Sequence, residues 1–139
     1  MVERTFVIVK AVAFDDQNRI LLIRRSKTAP RRALQWDLPG GFVDDEDESY
    51  RHTCLRELYE ETGLKAAGSV PQLSYAESSI DAHGNGSWLY FTVSVTLTDV
   101  RLSYEHDKFM WAPLQEALTL ITYDKQRRAL IHIQRAYKA

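Results

Sequence analysis

Residues 6–14 are rich in Val, Ile and Phe and apolar on both faces of an extended chain, with Lys10 the one charge among them. Such a run predicts a strand buried on both sides, and a strand of that kind needs a sheet with other layers packed above and below it. It is far too short to span a bilayer, which takes roughly 20 apolar residues. Turn chemistry at Asp15-Asp16-Gln17-Asn18, followed by apolar residues 20–23, predicts a hairpin. Residues 26–35 are polar, carry Pro30 and read as a loop, and Pro39-Gly40-Gly41 is expected to break regular structure across 36–41. Helical spacing over 47–62 ends at Gly63, a good residue to terminate a helix. Residues 70–79 and 87–97 read as strands joined by 81–86, the second placing Leu89, Phe91, Val93, Val95 and Leu97 on one face. A short strand at 108–111 precedes a short helix opened by Pro113. A terminal helix over 124–138 carries Leu130, Ile133 and Tyr137 on its apolar side. Strands interleaved with three helices imply the α/β class, a mixed sheet covered on both sides by helices.

The chain's 139 residues fit one domain over 1–139. With 18 Lys+Arg against 19 Asp+Glu, composition gives no reason to expect a nucleic-acid or membrane binder. A single cysteine, Cys54, excludes an intrachain disulfide, and residues 1–14 do not form a secretory signal, so a cytoplasmic location is expected.

The helix over 47–62 breaks the rules of helix stability. Glu57 and Glu61 share one face at i,i+4, where like charges repel by about 0.2–0.5 kcal/mol. Glu60 borders them, and acids in the last turn oppose the helix macrodipole at about 0.3–1 kcal/mol each. Glu61 also falls beside the apolar stripe of Cys54 and Leu58, which adds desolvation. Local rules that fail together point to a functional site. A divalent cation would relieve all three costs, and hard oxygen ligands favour Mg2+ or Mn2+ over zinc. The alternative at this point is an exposed face on which Arg51, Arg56 and Lys65 neutralise the acids.

Gly41 through Glu48, then seven residues, then Arg56-Glu57-Leu58-Tyr59-Glu60-Glu61-Thr62-Gly63-Leu64, resembles the signature of the Nudix hydrolases, G-x5-E-x7-R-E-U-x-E-E-x-G-U, with U an aliphatic residue. The second half matches at every defined position. The first departs from it: six residues separate Gly41 from Glu48, which reads as a one-residue loop insertion, since loops absorb insertions and helical phase does not. Aligning Asp47 instead restores the first spacing and spoils the second. The preceding Trp36-Asp37-Leu38-Pro39-Gly40 resembles the family's usual lead-in.

This resemblance implies an α/β/α sandwich with a central mixed β-sheet and hydrolysis of a diphosphate linked to another moiety. It implies that Glu57 and Glu61 hold the metal, with Glu60 a further ligand and the Gly40 carbonyl often joining. Arg56 would hold the loop through Glu48, with Gly41, Glu48, Arg56 and Gly63 structural in the motif. The attacking water needs a base, for which Glu57, Glu60 and Glu105 are candidates. The partner is expected to be a small diphosphate-containing molecule, a nucleotide or a derivative of one. A homodimer is compatible with the resemblance, and a nucleotide sensor without hydrolysis is the rival reading.

Arg24, Arg25, Lys27, Arg31 and Arg32 form a basic cluster, in which Arg24 and Arg25 at a strand end are best placed to receive phosphate oxygens. Trp36, Trp88 and Tyr90 could stack on a flat group, although core packing is the commoner role. Cys54 and His52 point apart on the helix and do not make a nucleophilic pair. The basic residues of the terminal helix read as a solvated surface.

Overall fold

The structure, a computed structural model, describes residues 5–82 and 84–138, without the side chains of Tyr137 and Lys138. The expected apolar-side placement of Tyr137 therefore lies outside the described residues, as does His83 in the 81–86 connection. The elements run β1 (Thr5–Phe14), β2 (Arg19–Arg25), β3 (Trp36–Asp37), β4 (Gly40–Phe42), α1 (Tyr50–Thr62), β5 (Gln72–Asp81), β6 (Gly84–Ser94), β7 (His106–Pro113), α2 (Leu114–Leu120) and α3 (Asp124–Lys138).

One path through the sheet runs β3-β2-β1-β6-β5, with β4 on β1 and β7 on β2. The sheet is mixed: β1 and β6 are parallel over their whole register, and the other pairs are antiparallel. Alternation along β1 sends Val9, Ala11 and Ala13 into one buried cluster, with Cys54, Leu58 and Leu64 around α1. Val12, on the other face, packs with Ala117, Ile121, Ala129, Leu130 and Ile133 around α2 and α3. Burying a side chain such as Leu58 or Leu130 stabilises by roughly 1.5–3 kcal/mol, so the two clusters hold the three layers together. Leu97 departs from its expected face: it lies beyond β6 and is exposed.

The hairpin forms only at its turn. Phe14 pairs with Ile20, and the Asp15 carboxylate accepts from the N–H groups of Gln17 and Arg19 and from Arg19 Nε. Beyond that turn β1 and β2 part, and residues 36–42 fill the wedge between them. β3 pairs with β2 through Trp36 and Asp37, the Ala11 N–H donates to the Pro39 carbonyl, and β4 pairs with β1 through Gly40 and Gly41. The expectation of a break at Pro39-Gly40-Gly41 is thus half right. Pro39 interrupts the pairing, but the segment forms two short strands because each side of it has an open edge to join.

Helix α1 starts three residues later than periodicity suggests. Ser49 is its N-cap, its hydroxyl accepting from the His52 N–H at 3.1 Å. At the other end Gly63, at φ 76°, donates its N–H to the Tyr59 carbonyl, the left-handed termination that glycine makes without strain.

Candidate active site

The last two turns of α1 face the β4 backbone, and glycine makes that approach possible. A Cβ on Gly41 would sit 2.7 Å from Glu57 Oε1. Gly40, at φ 151°, has no room for one either, with the Val9 carbonyl oxygen in its way and Lys10 Cδ 2.7 Å from where it would lie. The Gly40 N–H donates to Glu61 Oε1 at 2.7 Å. The glycine pair is therefore a window in the sheet. The carboxylates of α1 look into it from one side, and Lys10 reaches it from the other.

Glu61 is only 6% exposed. Burial pushes its carboxyl up to about 8, against the pull of Lys10 and the Gly40 N–H, and the neighbouring Glu57 and Asp37 add to the rise. Burial also raises Glu57, where Arg56 opposes the rise and Glu60 reinforces it. The costs expected from sequence are therefore present where the helix meets β4. The exposed-face alternative holds in part: Arg56 Nη1 lies 3.1 Å from Glu57 and 3.2 Å from Glu60. Arg51 instead donates to the Pro71 carbonyl, and Lys65 lies over the Tyr59 ring.

Arg56 does not engage Glu48. Its Nε and Nη2 donate to the two oxygens of Asp47 at 2.8 and 2.9 Å, and Nη2 also reaches the Phe42 carbonyl. The Arg56 guanidinium holds the Asp47 carboxyl well below the usual carboxylate range, with the Asp44 N–H and Thr53 hydroxyl assisting. Glu48 is exposed, and its backbone N–H donates to His52 Nδ1. This corrects the expected Arg56–Glu48 pair. With Ser49 as N-cap, Asp47 rather than Glu48 is the acid that folds back over the first turn.

Beneath the window lies a buried charge cluster that sequence reasoning missed. Asp37 accepts from Lys10 Nζ at 3.3 Å and Gln126 Nε2 at 2.5 Å, with Arg25 Nη1 at 3.4 Å. His106 Nε2 stands 3.7 Å away, too far for a good hydrogen bond. Burial alone would raise the Asp37 carboxyl, but Lys10 first among the polar neighbours holds it well below the usual range. Lys10 also donates to the Leu38 carbonyl at 3.0 Å. The signal was available in the sequence: a lone lysine inside a two-sided apolar strand requires a buried counter-charge.

The other expected site residues fall less favourably. Arg24 makes a two-pronged pair with Asp107 at 2.9 and 3.0 Å, and Arg25 is held by Asp37 and the Arg31 carbonyl. Both guanidinium groups are therefore engaged by acceptors of the protein itself. Trp36 pairs opposite Arg24 and packs against the α3-side core. Trp88 and Tyr90 are buried in that core and offer no face to a ligand. Burial pushes the Cys54 thiol up to about 12, so it stays protonated. Glu60 and Glu105 are both exposed. The loop bearing Glu105 crosses the end of α1, with the Arg101 and Ser103 N–H groups donating to the Thr62 and Glu61 carbonyls, and the Glu105 carbonyl accepts from the Ser26 N–H.

Two carboxylates facing the β4 backbone suit Mg2+, which is usually held by one or two carboxylates and completes its shell with water and substrate phosphate. Among the described residues no group of three Asp, Glu, His or Cys gathers at metal-binding distance, and Arg56 Nη1 engages both Glu57 and Glu60. The donor set is all oxygen, and a buried Glu61 with a raised pKa is the group a hard cation would stabilise in its ionised form.

Sheet, glycine window and acidic helix define a class of protein. A sequence model of the NUDIX domain matches residues 4–132, and the chain belongs to that family. The chain resembles the crystal structure of a MutT protein from Methanosarcina mazei at a TM-score of 0.84 and 27% identity, covering 100% of this chain and 99% of that one. It is similar to the RNA pyrophosphohydrolase of Acidiphilium cryptum, 42% identical over 71 residues, 48% of this chain and 43% of that protein. It is also similar to the ADPR responsive transcriptional repressor NtrR of Acinetobacter baylyi, 30% identical over 106 residues, 75% of this chain and 42% of that protein. The matched part spans less than half the length of both relatives.

Proposed function

We propose that this chain hydrolyses a diphosphate bond in a nucleotide or a nucleoside diphosphate-linked metabolite, with Mg2+, or Mn2+ in its place, held by Glu57 and Glu61 beside the Gly40 carbonyl. One observation carries the reading: a glycine window brings two carboxylates of α1, one of them buried, against a backbone edge with no side chain between. The pyrophosphohydrolase among its relatives supports the reaction class. When bound, the cation screens the charge on the phosphate oxygens and lowers the pKa of water. The protein's own task is then mainly positioning. Arg56 fixes the 42–47 loop through Asp47 and Phe42 and places one positive charge against both Glu57 and Glu60. With Glu57 and Glu61 committed to the cation, Glu60 and Glu105 are the exposed carboxylates left to take the proton from the attacking water. Its oxygen bonds to phosphorus as the bridging oxygen departs with the other fragment. No described helix is long and apolar enough to cross a membrane, and we assign the protein to the cytoplasm, as a monomer or homodimer acting on small molecules.

The test is release of phosphate or nucleoside monophosphate from a panel of nucleoside triphosphates, nucleotide sugars, ADP-ribose and dinucleoside polyphosphates. Wild type should turn over at least one class with Mg2+, and E57Q and E61Q should each lose at least about 100-fold, as expected where a charge is removed from a catalytic cation site. Variants as fast as wild type contradict the assignment. The similarity to a repressor supports a second reading, a nucleotide sensor, which predicts calorimetric binding of a panel member without turnover.

A further inference from the structure

Glu60 and Glu105 are both exposed, but they are held in opposite ways. Glu60 receives Arg56 Nη1 on both of its oxygens at 3.2 Å, so a water approaching it competes with a guanidinium. Glu105 is tied by its backbone instead. Its N–H donates to Ser103 Oγ at 3.4 Å, and its carbonyl accepts from the Ser26 N–H at 2.9 Å. Among the described residues its carboxylate makes no ion pair. The segment that carries Glu105 is a tight turn. The His106 N–H donates to the Ser103 carbonyl at 3.3 Å, three residues back, which leaves Tyr104 and Glu105 at the tip. The Ser103 N–H donates to the Glu61 carbonyl at 3.3 Å. The turn therefore closes on the last turn of α1 at one side and on the end of β2 at the other.

β7 begins irregularly at the foot of that turn. Lys108 opposes Arg24 and His106 opposes Arg25, which leaves Asp107 as one residue too many for the ladder. A bulge of this kind re-aims side chains and is common beside active sites. Here it sends two neighbours to different partners. His106 is buried, with Nε2 3.7 Å from Asp37. Asp107 meets Arg24, accepting from Nε at 2.9 Å and from Nη2 at 3.0 Å. The Arg24 guanidinium holds the Asp107 carboxyl below the usual carboxylate range, so both partners are charged at neutral pH. An exposed ion pair contributes little unless its geometry is two-pronged, as this one is. The pair fixes the foot of the turn to β2, two residues beyond Glu105.

We propose that Arg24 and Asp107 are positioning residues, paired to hold the turn so that Glu105, rather than Glu60, takes the proton of the attacking water. The water gives that proton to a Glu105 carboxylate oxygen while its own oxygen bonds to phosphorus and the bridging oxygen departs with the other fragment. This inference rests on the proposed function. It gives Arg24 a task other than the reception of phosphate, since Nε and Nη2 are both on Asp107.

Steady-state hydrolysis of the panel member that wild type cleaves fastest separates positioning from upkeep of the fold. E105Q should lose at least about 100-fold in kcat, the usual share of a general base. D107A should lose at least about tenfold in kcat at unchanged KM, the cost of a misplaced catalytic group. Placed in the E105Q background, D107A should slow the reaction no further, because the pair acts only through Glu105. The charge exchange R24E/D107R should recover most of what R24E and D107R each lose. Three results overturn the proposal: a D107A loss that persists in full on top of E105Q, a KM raised by R24E and not recovered in R24E/D107R, or E105Q as fast as wild type. Amide hydrogen exchange in the full chain reads the turn without catalysis. Ser103 and His106 should exchange about fivefold faster in D107A and return towards wild type in R24E/D107R. Unchanged exchange in D107A overturns the proposal whatever the kinetics. Absence of all hydrolysis in wild type overturns the proposed function, and exchange then decides by itself whether the pair holds the turn.

Discussion

The Gly40 N–H donates to Glu61 Oε1 at 2.7 Å, joining β4 to the last turn of α1. This contact requires the absence of side chains at both positions of the glycine pair, and the two should fail differently when one is added. In G40A the new Cβ would collide with the Val9 backbone oxygen, so the sheet itself must shift, and the melting temperature should drop sharply together with activity. In G41A the clash is with the Glu57 carboxylate, which is the end of a flexible side chain. That variant should melt close to wild type yet lose most of its hydrolysis. Calorimetric melting and a rate assay on the same samples check both.

The raised Glu61 carboxyl makes stability of the metal-free protein fall with pH. Its folded pKa of about 8 exceeds the ordinary 4.5, so the folded state binds the proton more tightly. The stabilisation is complete below pH 4.5 and lost as pH rises through 8. Glu57, also raised, acts in the same direction. Each unit between folded and unfolded pKa is about 1.4 kcal/mol, so urea unfolding in EDTA should show wild type losing several kcal/mol across that window. E61Q should fall less steeply, keeping only the Glu57 contribution. Mg2+ at pH 8 should restore stability to wild type by mass action and leave E61Q unmoved.

Substituting Asp47 and Glu48 separates the two candidates for the Arg56 partner. D47N breaks a pair of hydrogen bonds to Arg56 and one from Thr53, and should lower the melting temperature and slow hydrolysis as the 42–47 loop loosens. E48Q, altering an exposed side chain, should do neither. Because the folded Asp47 pKa is depressed, its stabilising contribution is present at neutral pH and lost on acidification below the ordinary carboxylate range. The D47N difference should therefore shrink in acid melts.

What was legible in the sequence was local. The period of α1, its end at Gly63 and the face shared by Glu57 and Glu61 follow from spacing alone, and two-sided apolarity in β1 announced a sheet covered by helices on both sides. What was not legible depends on distant partners. Asp37 beside Pro39-Gly40-Gly41 reads as a loop residue, because Lys10 and Gln126 lie 27 and 89 positions away. Arg24 reads as a free cation until β7 brings Asp107 across from it. Glu48 fits the motif's spacing into α1, yet Asp47 takes the role because Ser49 sets where the helix begins.

The Lys10–Asp37 pair predicts an asymmetry in mutation. Removing one member of a buried charge pair strands the other and costs about 3–5 kcal/mol. K10M should therefore be much less stable than wild type, and the double variant K10M/D37N should recover part of the loss. Chemical denaturation of the three proteins measures it.

The most direct measurement is Mn2+ binding followed by the loss of the free-ion electron paramagnetic resonance signal, in wild type, E57Q and E61Q. A site in wild type that weakens at least about tenfold in each variant, the loss expected of a carboxylate ligand or its close support, is the predicted result. Equal affinity in all three proteins would contradict the account.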